Sequence, residues 1–460
     1  MFQNDFILDL GDVKKINDKK KALGINGFPI HFWTAGQLKL PRDAEHLGPE
    51  CVDLWADGGF TMAQTPSFDA WDEFSVNVIK GFLPRAAELG IKVILVPKFD
   101  RWANLEKTRK EYPELIKKVY SEFKDYPAVF GMYALDEPNS PERHEVANLM
   151  LNMQKELAPT WIPYFNLLPY WEPHEFSICW EAQGFDCFSA SLDDFVQKGN
   201  ADLISYDLYH PMKPGDQGWS NHFNCLRYYR ECSLRNKVPF WNIPLATGHF
   251  RYRRPNYDEL RWQVMTSLAC GISGMGWYYL YQGAHLINYR FAPINELWEK
   301  TQGWYDIRLI HKELHKTYGD LFNNIVCYRT EFYGRAYGSD PNFKPTPMIR
   351  TIEPDIMHHP FVIGYFVDEA GDKYVMLVNN SVDPEGSSKV FVYFDADVDL
   401  YHFENGEAVL GGTYIRDGYT KLPDGTQRCQ YWLAPGQEVM IKVVSDKIRE
   451  YPAYIPPMLR

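Results

Sequence analysis

The sequence predicts an α/β fold, a (β/α)8 TIM barrel followed by a small all-β sandwich. Three observations carry that expectation. Strand-like and helix-like runs alternate down most of the first 320 residues. Several strand runs are continuously apolar, as strands covered on both faces are. Near Leu321 the helical periodicity stops and short runs divided by turn residues take over. The expected domains are a catalytic barrel over 1–320 and a C-terminal β-sandwich over 321–460.

Taken in order, Phe28–Trp33 reads as the first strand, Cys51–Ala56 as helix and Phe60–Gln64, after the Gly58-Gly59 break, as the second strand. Trp71–Leu89 is amphipathic, with Phe74, Val78, Phe82 and Ala86 at helical spacing, and Ile91–Val96 is the β-branched third strand. Asn104–Tyr126 sets Leu115, Ile116, Val119, Tyr120 and Phe123 on one stripe. Ala128–Leu135 is strand four, Pro141–Leu157 helix, and Trp161–Leu167 strand five. Tyr170–Asn200, rich in aromatic and acidic residues, reads as an elaborated loop. Asp202–Asp207, Val238–Pro244 and Ile272–Tyr279 are strands six to eight, with helices over Asn221–Arg235, Tyr257–Ala269 and Glu296–Tyr318. Eight such units, each about 35 residues long, fit a barrel. A doubly wound sheet usually has fewer units and a glycine-rich turn after its first strand. Beyond the barrel, the runs at 362–366, 374–378, 390–394 and 438–443 are sandwich strands.

A net charge of −12 argues against nucleic acid or an anionic membrane as partner, because both require a basic face. No apolar run reaches the length of a membrane span. The N-terminus carries no leader pattern, which leaves the compartment open; a secreted or periplasmic location with the leader removed is compatible with it. The eight cysteines are scattered without metal spacing, although Cys179 and Cys187 share a segment and are placed to pair under oxidising conditions. Neither a metal nor a cofactor is expected. Aromatic residues make up 16% of the chain, and their flat rings are suitable platforms for sugar faces as well as core.

Barrel enzymes hold their reactive side chains where strands run into the following loops. Those ends offer His31 and Trp33; Lys98, Asp100, Arg101 and Trp102; Asp136 and Glu137; Asn166; Asp207, Tyr209 and His210; Asn242 and His249; and Trp277, Tyr279 and Gln282. The set is acidic, aromatic and amide-rich, with neither a zinc-binding His triad nor a Ser-His-Asp order. Cleaving a glycosidic bond takes one carboxylic acid to protonate the leaving oxygen and a second group at the anomeric carbon. Glu137 suits the first role, with Asp136 or Asp207 as second carboxylate raising its pKa by like-charge repulsion. Trp33, Asp100, Asn166, Tyr209, Asn242, Trp277 and Tyr279 are the expected substrate contacts. A bland reading of Asp136-Glu137-Pro138 is a helix start, where acidic residues and proline are both favoured.

The run Val129-Phe130-Gly131-Met132-Tyr133-Ala134-Leu135-Asp136-Glu137-Pro138 resembles the strand-four signature of TIM-barrel glycoside hydrolases. In the retaining families of clan A that position implies the acid/base Glu, usually after Asn. Two departures stand out. Strand seven ends in Trp241-Asn242-Ile243-Pro244 without the clan's nucleophilic Glu, and the residue before Glu137 is Asp136. An adjacent Asp-Glu pair is similar to hexosaminidases of glycoside hydrolase families 20 and 123, where the substrate's 2-acetamido group attacks. That resemblance implies Asp136 as polariser, Glu137 as acid/base, and Trp277 and Tyr279 as pocket walls. A carbohydrate substrate follows from either resemblance. The alternative is a catalytically inactive carbohydrate-binding barrel, made plausible by the missing strand-seven carboxylate. A barrel lyase or metal-dependent enzyme would need a ligand set that the sequence does not offer.

Overall fold

The computed structural model describes residues 6–34, 44–100, 102–170, 184–210, 221–282, 288–411 and 418–455. After a short strand β1 (Phe6–Ile7) and helix α1 (Leu10–Ala22), the chain builds eight parallel strands with helices between them. These are β2 (Ile30–Thr34), α2 (Pro49–Asp57), β3 (Met62–Gln64), α3 (Glu73–Glu88), β4 (Lys92–Leu95), α4 (Leu105–Phe123), β5 (Val129–Asp136) and α5 (Pro141–Leu157). There follow β6 (Tyr164–Asn166), α6 (Phe188–Gly199), β7 (Ile204–Asp207), α7 (His222–Asn236), β8 (Phe240–Ile243), α8 (Tyr257–Ala269), β9 (Met275–Tyr281) and α9 (Gln302–Tyr318).

Two four-stranded sheets, β3-β4-β5-β6 and β2-β9-β8-β7, form the barrel wall. They meet where the Leu167 N–H donates to Ser205 O at 2.7 Å and the Thr61 N–H to Ile30 O at 3.1 Å. Met62, Ile94, Phe130, Tyr164 and Trp241, with Leu23 and Leu203, form an interior cluster. An ideal Cβ on Gly274 would lie 2.4 Å from the Trp241 indole nitrogen, and one on Gly276 would lie 2.4 Å from His31 Nε2. Glycine at these two positions makes room for large rings inside the barrel.

The helices start where side chains satisfy their first N–H groups. Asp72 accepts from Ser75 N at 3.1 Å, Asn104 from Lys107 N at 2.9 Å and Ser140 from Arg143 N at 3.2 Å. Asn256 and Glu259 form a reciprocal capping box on α8. The buried stripe of α4 is Tyr112, Leu115, Ile116, Val119 and Phe123, at helical spacing.

Two expectations need correction. Phe188–Gly199, inside the segment read as loop, is helix α6; Phe188, Leu192, Phe195 and Val196 are its buried stripe, hidden in the sequence by interleaved acidic residues. The last barrel helix begins at Gln302 rather than Glu296. Asn295 Oδ1 accepts from the backbone of Leu297 and Glu299, each at 2.9 Å, which makes a turn, and Trp298 takes φ +65°. Cys179, of the suggested Cys179–Cys187 pair, lies outside the described residues, as does Arg101.

Past α10 (Leu321–Asn324) come β10 (Ile325–Tyr333), β11 (Thr351–Pro354), β12 (Phe361–Asp368), β13 (Lys373–Asn379), β14 (Ser388–Phe394), β15 (Asp399–Glu404), β16 (Glu407–Leu410), β17 (Tyr419–Lys421), β18 (Gln427–Leu433) and β19 (Glu438–Val444). They form antiparallel sheets ordered β10-β12-β13-β19-β15-β16 and β11-β14-β18-β17. Helix α11 (Asp446–Glu450) precedes the last strand, β20 (Tyr454–Ile455), which pairs with β1. The chain divides into two compact units that are discontinuous in sequence. One holds 19–255 and 274–311; the other holds 1–18, 256–273 and 312–460. No helix among the described residues is long and apolar enough to cross a membrane.

Candidate active site

Strand β5 is long, with eight residues, and carries Asp136 to its carboxyl end opposite Asn166 of β6. The Glu137 N–H then donates to Asn166 O at 3.0 Å. Glu137 has φ +42°, a left-handed conformation that costs a residue with a Cβ about 1–2 kcal/mol. Pro138 adds to this by favouring extended conformations in the residue before it. Strain of this kind persists only where the surroundings impose it, and it gathers at functional sites.

Parallel-strand parity determines which neighbours reach the interior. Tyr164, Asn166, Ser205 and Asp207 alternate with Phe165, stacked on Phe195 of α6 at 3.9 Å, and Tyr206, stacked on Tyr229 of α7 at 4.1 Å. The inward set is hydrogen-bonded. Asn166 Nδ2 donates to Asp207 Oδ1 at 2.5 Å, and Ser205 Oγ donates to Asn166 Oδ1 at 3.2 Å. The Tyr164 hydroxyl lies 3.0 Å from Ser205 Oγ and 3.3 Å from His31 Nε2.

Asp207 keeps some exposed surface, but its carboxyl is enclosed. Burial raises its pKa above the ordinary carboxylate value; hydrogen bonds from Tyr209, Asn166 and Glu137 oppose that rise without cancelling it. Glu137 and Asp207 are thus hydrogen-bonded partners. Asp136 lies near the Tyr133 hydroxyl, whose pKa is pushed up first by burial and then by the Asp136 charge.

Aromatic rings surround these acids. Trp33 meets Tyr133 edge-on at 5.2 Å. Tyr209 packs on Tyr278 at 4.7 Å, Tyr278 stacks on Tyr279 at 3.9 Å across a cis peptide, and the Tyr278 hydroxyl lies 2.7 Å from that of Tyr289. His249 stacks on Tyr289 at 5.0 Å, and burial pushes its pKa down to about 4. Gln282 Oε1 accepts from Ala292 N at 3.4 Å.

Asp136, Glu137, Asn166, Asp207, Tyr209 and Tyr279, with Trp33 beside Tyr133, come together; three other expected residues do not. Asp100 is exposed, ion-paired with Lys107 at 2.8 Å, and this pairing lowers its pKa. Trp277 faces the helix layer, where its indole N–H donates to His311 Nε2 at 2.7 Å. Asn242 lies in register with outward-facing Tyr206, so strand parity turns it away from the interior as well. His210 is buried against His222, with ring nitrogens 2.8 Å apart. Sequence reasoning missed Tyr133, Tyr164, Ser205 and Tyr278. Counting two residues back from Asn166 and Asp207 along the pleat would have found Tyr164 and Ser205. Among the described residues no group of three or more His, Cys, Asp or Glu side chains is placed to hold a metal.

No family model matches the chain, and no curated protein matches it. Solved structures do. A family 5 glycoside hydrolase from Bacteroides vulgatus aligns with a TM-score of 0.52 at 12% identity, over 93% of this chain and 92% of its own. A family 39 glycoside hydrolase from Bacteroides cellulosilyticus aligns with a TM-score of 0.50 at 12% identity, over 93% and 82%. A further chain described as a glycoside hydrolase aligns at 0.50 and 10% identity, over 91% and 93%. At such identities the likeness is one of fold: the chain has the barrel-and-sandwich architecture of TIM-barrel glycoside hydrolases.

Proposed function

We propose that this protein is a glycosidase that cleaves an O-glycosidic bond of a carbohydrate, with Glu137 as general acid/base and Asp207 or Asp136 as second carboxylate. The observation that carries this reading is the Glu137–Asp207 hydrogen bond at the carboxyl end of the barrel. Two carboxyls bonded to each other share a proton and titrate as a pair. One member is then an acid at a pH where an isolated carboxyl has ionised, which is what a leaving glycosidic oxygen requires. The strained backbone at Glu137 and the surrounding rings support the same reading.

The two candidate partners differ in their surroundings. Asp207 accepts from Asn166 and bonds with Tyr209 and Glu137, which favours a role as the partner with which Glu137 shares its proton. Asp136, near Tyr133 and within electrostatic reach of Tyr279, suits the polarising role on a 2-acetamido group. The test is Glu137→Gln on a panel of aryl hexosides and aryl N-acetylhexosaminides. The expected loss in kcat is about 10²–10⁴-fold. Undiminished turnover would remove Glu137 from the mechanism, and equal cleavage of both substrate classes by the native enzyme would rule out assistance by the acetamido group.

A second reading, carbohydrate binding without hydrolysis, is favoured by one observation: β8 runs into Asn242-Ile243-Pro244 with no carboxylate. Calorimetric binding of a glycan that the native protein never cleaves would select it.

A further inference from the structure

We infer that His31, Tyr164, Ser205 and Asn166 form a one-way chain of hydrogen-bond donors that ends on Asp207, holds Asp207 as the acceptor of its pair and thereby leaves the proton on Glu137. The role in catalysis rests on the glycosidase reading; the chain itself does not.

The direction follows from valence. Asn166 Nδ2 donates to Asp207, so its Oδ1 can only accept, and Ser205 is the donor to it. Ser205 has spent its one hydroxyl proton, so in its 3.0 Å contact with Tyr164 it accepts. Tyr164 has then spent its own proton, so in the 3.3 Å contact it accepts from His31, which assigns the Nε2–H tautomer. Burial keeps that imidazole neutral, its pKa pushed down to about 3, so it supplies one fixed donor and no charge. Each link lies deep in the barrel: His31, Tyr164 and Ser205 are fully buried, and Asn166 is 1% exposed. Gly276 completes the arrangement, because a Cβ there would collide with the His31 ring.

Glu137, just past β5, and Tyr209, after β7, hydrogen-bond with Asp207, and Tyr164 of β6 with Cys225 and Tyr229 of α7 lie within electrostatic reach of it. Among the described residues, none of these groups is cationic. With no positive charge among them to hold the Asp207 anion, the orientation of the Asn166 carboxamide is decisive. Turned one way it donates to the carboxylate; turned the other it presents an oxygen and demands a protonated Asp207. Ser205 is the residue that fixes the turn. It is a positioning residue, acting on Asp207 through Asn166.

The experiment is a carboxyl carbon NMR titration of the full-length protein, with the Asp207 resonance assigned by its loss in Asp207→Asn. In Ser205→Ala the midpoint of that resonance should move up by about one pH unit, and Ser205→Thr should restore it. Tyr164→Phe removes the donor to Ser205 while keeping the ring, and should give a smaller shift in the same direction. On any aryl glycoside that the native protein cleaves, the acidic limb of kcat/KM should move with the midpoint. A moved midpoint in a protein that cleaves nothing would keep the chain and dismiss the glycosidase reading. An unmoved midpoint and acidic limb in Tyr164→Phe and Ser205→Ala, with or without a lower rate, would overturn the chain and leave those residues as packing.

Discussion

At the scale of single residues, the backbone of Glu137 separates strain from function. Replacing it with alanine or with glycine removes the same carboxylate, but only glycine enters φ +42° without steric cost. Glu137→Gly should be more stable than Glu137→Ala by about 1 kcal/mol in denaturant titrations, and both should lack turnover. Equal stabilities would mean that the left-handed conformation relaxes once the side chain is gone. Asp207 makes a complementary case. It shares one proton with Glu137, and burial keeps that proton on the pair above the pH at which the unfolded carboxyls have released theirs. Stability is therefore lost as pH rises from about 3.9 through the folded pKa. Asp207→Asn should diminish that loss and raise stability at neutral pH while activity falls, a trade common at active sites. Melting temperatures of both proteins across pH 4–8 would reveal it; curves that stay parallel would contradict the raised pKa.

At the scale of elements, what could be read from the sequence depended on whether one chain segment held the whole signal. Helix α4 did, because its stripe and its Asn104 cap are contiguous, and so did the Asp136-Glu137 end of β5. Helix α6 did not: Asp193 and Asp194 lie among its apolar positions, and its buried face shows only once Phe195 meets Phe165 of β6. The Tyr164–Ser205–Asn166 chain was likewise illegible, since it joins two strands and depends on their register. The neighbouring approach of β5 to the segment before β6 is fixed at Gly131, where an added Cβ would lie 1.8 Å from the Ile162 carbonyl oxygen. Gly131→Ala must push β5 away from the segment leading into β6. The expected cost is about 3 kcal/mol, visible as a lowered melting temperature, and a neutral effect would mean that this stretch is not closely packed. Helix α7 offers a pH test of its own. Burial raises the Glu231 pKa to about 7 despite Arg230, Arg227 and Arg235. The unfolded chain releases that proton near pH 4.3, so stability falls between about pH 4.3 and 7. Glu231→Gln should remove the fall and stabilise the protein on the order of 2 kcal/mol at pH 7.5 but hardly at pH 4.5. Urea unfolding at the two pH values decides it.

At the scale of the molecule, the change of texture near Leu321 points to a sandwich that begins there, yet the compact unit containing the sandwich also contains 256–273, and with it α8. The reason lies in the side chains that α8 presents to β12 and β13. Trp262 is fully buried. The Trp262 indole N–H donates to Asn380 Oδ1 at 2.8 Å, and Arg261 Nε donates to Pro435 O at 3.0 Å. Thr330 Oγ1 reaches Ala269 O at 3.2 Å, and an added Cβ on Gly364 would lie 2.2 Å from that same oxygen. Helix and sheet are therefore fitted at the backbone. Burying a large apolar side chain contributes about 1.5–3 kcal/mol, so uncovering even part of this face removes much of the 5–15 kcal/mol by which a domain is typically stable. The alternation of strands and helices suffices to draw a barrel over 1–320, but a chain cut at residue 320 should not fold cooperatively. Its far-UV circular dichroism should retain helix while the near-UV signal collapses and a hydrophobic dye binds. A monomeric 1–320 fragment with a sharp thermal transition would show instead that α8 does without the sandwich, and that the two parts are separable domains.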